Sequence, residues 1–451
     1  MATFDKKAPG VYVEEISKLP PSVASVATAI PGFVGYTERG TKNTAIRVES
    51  LIDFEEKFGY ACKIAISEED KINGLEYKLH ESMRLFYANG GGICYVVSVG
   101  NYTAAISNTA LETGISMLEP IDEVTMIVVP DAVSLEIEDL ASVQNAALAQ
   151  CLELKDRVAI LDVKDTGNCN TDATNFRNII GTKGASYGAA YYPYIKSVYD
   201  REINVYDIYK GLELSNQELE NAQYYAELSE PTEESTLFAK QLMSKPEYAK
   251  LVAKIQEQAN LLPPSGAIAG IYCANDNQRG VWHAPANMSV SGISDINVRI
   301  SDKQQGELNE NTSGKCINAI RAFQGKGILV WGARTLDGLS SEWKYISVRR
   351  FFNYVEESIQ ESTAWAVFQP NDANTWVKVR CQIENFLSNL WRDGALAGST
   401  PQEAFYVRVG INQTMTAQDI LNGYMIVEIG MAAVRPAEFI VLQFSHKLQE
   451  S

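Results

Sequence analysis

The strongest constraint on the fold of this chain is an alternation of short apolar runs with helical patterns between residues 23 and 163. The runs are rich in β-branched residues and are continuously apolar, as in ICYVVSV (93–99) and RVAILDV (157–163). Between them lie amphipathic patterns near 75–89 and 136–153. Strands that are apolar on both sides and separated by helices are typical of a largely parallel sheet buried on both faces. The sequence therefore predicts an α/β domain here.

The remainder of the chain predicts an insertion and a second domain. The tract GASYGAAYYPYIKSV (184–198) reads as another strand of the same sheet, and the polar segment 200–259 reads as a mostly helical, exposed insertion. The first domain is expected to cover 23–301, and an α+β domain is expected over 302–435. Its expected elements are strands near 315–321, 327–333, 405–409 and 424–433, and helices at 349–363 and 373–393.

Both chain ends predict extended segments that lack a partner within the chain. Residues 1–22 contain the alternating run APGVYVEE and end at Pro20-Pro21, while residues 436–451 form an apolar strand pattern reached through Pro436. A strand at a chain end presents unpaired backbone groups, which are a liability in a monomer and a connector in a polymer. We therefore expect two linking arms.

Charge and composition exclude several classes of protein. The net charge is −17, whereas a nucleic-acid surface needs an excess of Lys and Arg. Residues 312–451 carry 13 basic and 13 acidic side chains, so the whole excess of negative charge lies in residues 1–311. This distribution predicts an acidic region that is solvated and a neutral region that can pack against neighbours.

No segment predicts a membrane, metal or disulfide site. The N-terminus has no apolar signal core, and no stretch approaches the ~18 apolar residues of a membrane span, so folding in the cytoplasm is expected. The seven cysteines form no CxxC pair, and the three histidines are far apart. We therefore expect no cofactor and no metal.

Two carboxylates give the best case for an enzyme. Asp131 and Asp162 follow apolar runs, at the ends of presumed parallel strands where α/β enzymes place reactive groups. Carboxylates at this position are also common helix caps. Gly90-Gly91-Gly92 lies between a helix and a strand, the reverse of a phosphate-binding loop, and no nucleophile elbow is present. The interpretation favours caps, and an α/β enzyme with an unrecognised site remains an alternative.

Two clusters in the C-terminal region suggest interactions. The helix near 373–393 has an apolar stripe, and its opposite side carries Lys378, Asn385, Asn389 and Arg392. An ordinary solvated face fits this pattern equally well. Three arginines, Arg334, Arg349 and Arg350, lie among aromatic residues, with Glu342, Glu356 and Glu357 nearby. Buried ion pairs and arginine–aromatic stacking are favoured over nucleic-acid binding.

Several long, ordered segments resemble one family. They are GILVWGARTL (327–336), EWKYISVRRFFNYVEESI (342–359), LPPSGAIAGIYCANDNQRGVWHAPAN (262–287) and FLSNLWRDGALAG (386–398). The resemblance extends from APGVYVEE (8–15) to PAEFIVLQFSHK (436–447). By these segments the chain resembles the contractile tail sheath proteins, which form helical sleeves around the inner tubes of phages and phage-like injection systems.

The resemblance implies an architecture and a set of partners. It implies a multi-domain sheath fold, with an α/β outer domain, an α+β inner domain and two arms that add strands to neighbouring subunits. The arm residues expected to make these contacts are Val11, Tyr12, Val13, Phe439, Val441 and Phe444. The polar stripe of the 373–393 helix is expected to face the tube. Implied partners are further copies of the chain in a helical homopolymer, the inner tube protein, baseplate and terminal cap proteins, and sheath paralogues.

The implied function is structural. The sheath would polymerise around a tube and contract to drive it through a target envelope, without catalysis. It would assemble in the cytoplasm of the producing bacterium as a component of a phage tail or a related particle. A non-contracting cap or adaptor protein of similar descent is a second alternative.

Overall fold

The chain forms two compact units in a computed structural model that describes residues 23–67, 71–228, 230–310 and 312–439. Within these ranges the large unit comprises 26–356 together with 435–439, and the small unit comprises 357–434 together with 23–25. The predicted arm residues Val11, Tyr12, Val13, Val441 and Phe444 lie outside the described residues.

The strands are short, and most belong to the large unit. In chain order they are β1 (Pro31–Gly35), β2 (Ala45–Val48), β3 (Ala65–Ile66), β4 (Ile72–Asn73), β5 (Cys94–Ser98), β6 (Met126–Val128), β7 (Val158–Asp162), β8 (Gly188–Tyr192), β9 (Ile195–Ser197), β10 (Leu261–Leu262), β11 (Met288–Ser289), β12 (Ile293–Ile296), β13 (Ile317–Phe323), β14 (Gly327–Val330), β15 (Phe405–Val409) and β16 (Val427–Met431).

The helices are α1 (Leu51–Phe58), α2 (Leu79–Ala88), α3 (Asn108–Ser116), α4 (Ile137–Leu154), α5 (Cys169–Ile179), α6 (Val205–Ile208), α7 (Asn216–Ala226), α8 (Glu233–Met243), α9 (Pro246–Ala259), α10 (Ser265–Arg279), α11 (Asp302–Asn309), α12 (Ile346–Thr363), α13 (Ala373–Arg392), α14 (Pro401–Ala404) and α15 (Ala417–Leu421).

A nine-stranded sheet in the order β11-β14-β13-β8-β7-β6-β1-β5-β2 organises the large unit. Its six central strands, from β13 to β5, are parallel, and β2, β14 and β11 extend the two ends of the sheet, each by antiparallel pairing with its neighbour. Successive residues of one strand enter opposite cores: Phe33 packs with α2 and α10, and Val34 packs with α3 and α4. The predicted parallel sheet, buried on both faces, is confirmed.

The division between the units differs from the predicted one. The sequence pattern predicts β13 and β14 in the C-terminal domain, but β13 pairs in parallel with β8 in the register Ile317↔Ala190 and so completes the large sheet. The two compact units separate within helix α12, between residues 356 and 357, and not near residue 302. The pairing joins segments more than a hundred residues apart, which local sequence patterns do not reveal.

The insertion is helical, as expected, over α6–α9. Capping boxes at Ser215 and Thr232 start α7 and α8, and small apolar clusters around Ile208 and Leu242 hold the helices. Leu237 and Tyr224 remain more than half exposed. Among the described residues, no helix is both long enough and apolar enough to cross a membrane.

The small unit combines helix α13 with the antiparallel pair β15–β16. Asp372 caps α13 by accepting the Thr375 N–H at 3.0 Å. Gln382, on the buried side of α13, accepts from the Trp365 indole at 2.9 Å and donates to the Ser362 carbonyl at 3.0 Å. These bonds tie α13 to the end of α12.

Candidate functional site

The two strand-end carboxylates are buried helix caps. Asp131 is fully buried and accepts the backbone N–H groups of Lys78 and Leu79, at 2.5 and 2.9 Å, where α2 begins. It also accepts the Tyr36 N–H at 2.6 Å, after β1. Its three backbone partners occupy the crevice between β1 and β6, the place where open α/β sheets bind ligands.

Asp162 has the same role at the end of the neighbouring strand β7. Its Oδ1 accepts the Ser265 N–H at 2.9 Å, at the first residue of α10. Burial raises the pKa of Asp162 to about 7 and that of Asp131 to about 6, against the opposing effect of these hydrogen bonds. A carboxylate sealed beneath a helix N-terminus cannot reach a substrate, so the geometry supports caps.

The histidines and cysteines form no metal site among the described residues, where no group of three or more His, Cys, Asp or Glu side chains could hold an ion. His80 lies 3.2 Å from Glu55, and burial lowers its pKa. Five of the seven cysteines are buried. Burial raises the pKa of the Cys273 thiol to about 12, so this thiol is protonated and unreactive at neutral pH.

Helix α13 exposes the four polar residues singled out in the sequence. Lys378, Asn385, Asn389 and Arg392 are not buried, and the Arg392 guanidinium donates to the Asn389 side chain at 3.4 Å. The opposite side is buried through Val379, Ile383, Phe386, Leu387 and Leu390. The predicted amphipathic helix is therefore present, with a polar face that is available to a partner.

The β15–β16 pair is a sheet of only two strands. Its register runs from Phe405↔Met431 to Val409↔Val427, and one further bridge joins Leu396 to Ala433. In the stretches of chain that the structure describes, no third strand pairs with either outer edge. Exposed apolar side chains lie around this sheet, namely Tyr406, Ile411, Leu421, Tyr424 and Ile426. Open edges beside apolar surface are the features of a strand-accepting site.

Arg334 is buried and holds a carboxylate near the C-terminus. Its guanidinium donates to both oxygens of Glu438 at 2.7 to 3.1 Å, and its Nη1 donates to the Asn309 carbonyl at 3.0 Å. The Tyr345 hydroxyl donates to the same carboxylate at 3.1 Å. Burial and the charge of Glu438 raise the pKa of Tyr345. Phe439, the next residue, is 70% exposed and is not in a strand.

The other two arginines are also buried. Arg350 pairs with Asp276 and donates to the Thr28 carbonyl at 2.8 Å. Arg349 lies 4.0 Å from the Trp343 ring centre and 3.6 Å from Glu356. The predicted ion pairs and stacking are present. The principal carboxylates are Asp276 and Glu438, which sequence proximity did not indicate.

Two family descriptions match most of the chain. The phage tail sheath protein central domain matches residues 104–336, and the phage tail sheath C-terminal domain matches residues 340–447. A curated tail sheath protein of Vibrio phage KVP40 is 23% identical over 192 residues. That match covers 42% of this chain and only 27% of the phage protein, so the chain spans about a quarter of this relative's length.

Solved structures match over almost the whole chain. The sheath of the PVC extracellular contractile injection system, in its contracted state, is 32% identical, with 99% of each chain covered and a TM-score of 0.69. The contracted helical sheath of the anti-feeding prophage is 30% identical, with 97% of this chain and 99% of that chain covered and a TM-score of 0.66. The chain therefore belongs to the phage tail sheath family, as a structural subunit of a contractile sheath.

Proposed function

We propose that copies of this subunit join head to tail by strand exchange and form a helical sleeve around an inner tube. Residues 1–22 and 436–451 of neighbouring subunits would each add a strand to the β15–β16 sheet. The observation that carries this proposal is the two-stranded sheet itself, whose outer edges pair with no strand among the described residues. A lone two-stranded sheet is marginally stable, whereas a sheet of three or four strands is robust.

The strength of such a sleeve comes from the repetition of strand exchange in every subunit. Each added strand forms several backbone hydrogen bonds worth roughly 0.5 to 1.5 kcal/mol apiece. Every subunit donates and receives, so one broken joint leaves the others to hold the subunit in place. Because donor arm and acceptor sheet are different surfaces, the contact is heterologous and generates an open helix.

Contraction would release a kinetically trapped extended lattice into a more stable one. The subunit needs no catalytic site for this step. Asp131 and Asp162, the best enzyme candidates in the sequence, serve as buried helix caps. The energy would be stored in subunit contacts during assembly.

Two faces of the subunit would have different surroundings. The exposed stripe of α13, with Lys378 and Arg392, would face the tube and meet acidic or amide groups there in the extended state. The acidic region 23–301, including the insertion at 200–259, would face outward, because a large negative charge costs little in water and repels when packed inside a cylinder.

The partners in this proposal are the inner tube protein, the baseplate, a terminal cap and sheath paralogues. Assembly would take place in the cytoplasm of the producing bacterium, and the particle would then be released or anchored. Neither nucleic acid nor a membrane would be a partner of the subunit.

Removing the N-terminal arm tests the proposal. We expect the chain without residues 1–19 to stay soluble and folded but to form no tubules in negative-stain electron microscopy. The matched control lacks only residues 2–7, which precede the APGVYVEE strand, and should form tubules of parental length. Tubules of normal length from the shorter chain would refute strand exchange by this arm.

A further inference from the structure

We infer that two buried arginines fix to the large unit the segments from which the linking arms extend. Arg334 holds the C-terminal segment at Glu438, and Arg350 holds the N-terminal segment at Thr28. These two segments are called the C-terminal root and the N-terminal root. This inference rests on the proposed strand exchange and specifies how a subunit bears the pull of its neighbours. Each arginine would connect its arm to the nine-stranded sheet of the large unit, and on the N-terminal side this connection follows residues 23–25, which belong to the small unit.

The C-terminal root is held by charged hydrogen bonds beside a cavity. Pro436–Phe439 form one wall of a cavity of about 640 Å³, whose other walls include Gln305, Asn309 and Trp331. With open space beside it, this segment is held chiefly by the bonds of Glu438 to Arg334 and Tyr345. Arg435 adds a hydrogen bond to the Ser341 carbonyl.

Arg334 is itself firmly positioned. Its side chain is 1% exposed, and its backbone N–H donates to the Asn318 side chain at 2.7 Å. Asn318 lies in β13 and donates to the Ala190 carbonyl of β8 at 3.1 Å. The Arg334–Glu438 ion pair is thus connected to the centre of the large sheet through two hydrogen bonds.

The N-terminal root has a comparable arrangement. Arg350 is fixed by its ion pair with Asp276 on α10 and stacks over the Tyr272 ring at 4.7 Å. Its Nη2 donates to the Thr28 carbonyl, which also accepts the Thr125 hydroxyl at 3.0 Å. The chain is therefore held three residues before β1 begins.

The positions of Arg334 and Arg350 in the chain favour a role in bearing the pull of neighbouring subunits. A buried ion pair contributes little net stability compared with apolar residues of the same size, but a bidentate pair fixes position closely. The Arg334–Glu438 pair joins residues 104 apart, and the whole of 357–434 lies between them. A pull on the C-terminal arm would therefore reach the large unit without passing along the chain of the small unit.

The test compares Glu438→Gln with Asp302→Asn. Asp302 lines the same cavity and pairs with Arg321, but it makes no hydrogen bond or ion pair with 435–439 among the described residues, so it controls for loss of one carboxylate there. In the soluble subunit, we expect chymotryptic cleavage after Phe439 to accelerate at least about tenfold in Glu438→Gln, because cleavage follows the population in which 435–439 is released, and a tenfold change corresponds to roughly 1.4 kcal/mol. Asp302→Asn should leave this cleavage rate unchanged.

A second measurement addresses the load. Glu438→Gln tubules should dissociate at a lower urea concentration than parental and Asp302→Asn tubules, while the urea midpoint of the soluble subunit changes little. Tyr345→Phe, which removes one neutral donor, should give a smaller shift in the same direction.

The outcomes separate the two proposals. An unchanged cleavage rate, or tubules of parental urea resistance, would overturn the anchoring role. If the parental chain itself forms no tubules, strand exchange fails, and the cleavage rate in the soluble subunit still decides whether Arg334 holds the root.

Discussion

Replacing Asp162 by Asn should lower the stability of the folded protein at pH 5 but not at pH 8. The folded pKa is about 7, whereas an unfolded Asp titrates near 3.9. A raised pKa means that the native state penalises the ionised form, so this penalty is absent below pH ~4 and complete above pH ~7. Three pKa units correspond to about 4 kcal/mol in total, of which roughly 3 kcal/mol develops between pH 5 and pH 8.

The amide variant lacks this penalty because it cannot ionise. Its oxygen can still accept the Ser265 N–H, but its NH₂ group would be buried without an assigned partner, at a cost of about 1–3 kcal/mol. We therefore expect Asp162→Asn to be less stable than the parent at pH 5 and equally or more stable at pH 8. Urea unfolding at both pH values, below the protein concentration that gives tubules, measures the difference.

Asp372→Asn is a control for which the stability should depend on pH in the opposite direction. Hydrogen bonds from the Thr375 backbone lower the pKa of Asp372, so its contribution is present above the unfolded pKa and is lost as the pH falls. The Asp372 variant should therefore differ most from the parent at pH 8 and least at low pH. A stability difference for Asp162→Asn that does not vary between pH 5 and pH 8 would refute the assignment of Asp162 as a buried cap.

Three further predictions concern the tube, the outer surface and the crevice. Lys378→Glu with Arg392→Glu should assemble but give empty or prematurely contracted sheaths by electron microscopy. Each exposed contact with the tube is worth only about 0.2–1 kcal/mol, but the contact repeats in every subunit, so its loss from all subunits weakens the grip on the tube. Extended sheaths filled with tube would contradict this. The matched control is Lys250→Glu with Lys254→Glu on α9. Brief protease treatment of assembled sheaths should cut within 200–259 first, as mapped by mass spectrometry, and first cleavage within α13 would overturn the outward placement. Gly35→Ala would place a Cβ 2.6 Å from the carboxylate that caps α2 and should destabilise the subunit by about 1–3 kcal/mol in thermal unfolding, whereas Gly92→Ala, with open space, should not.

Local patterns are sufficient to predict most elements of the fold. The continuous apolar run at 157–163 contains β7, and the helical stripe at 373–393 corresponds to α13, because period and burial can be read within one segment. Long-range pairing cannot be read in this way. The sequence pattern assigns β13 and β14 to the wrong domain because their place is fixed by pairing with β8.

The candidate site divides in the same way. The exposed face of α13 follows from helical spacing alone. The partners of the arginines lie 74 and 104 residues away in sequence, so burial and ion pairing of Arg350 and Arg334 could be inferred, but the carboxylates that pair with them could not. Likewise, a carboxylate at a strand end is compatible with catalysis or capping until the helix that it caps is placed beside it.

A cryo-electron microscopy structure of the assembled sheath tests the central claim most directly. Strand exchange predicts that the β15–β16 sheet of each subunit carries additional strands, and that their side chains are those of residues 8–15 and 439–447 from neighbouring subunits. Bare edges on that sheet, or strands supplied by the subunit's own two ends, would contradict it.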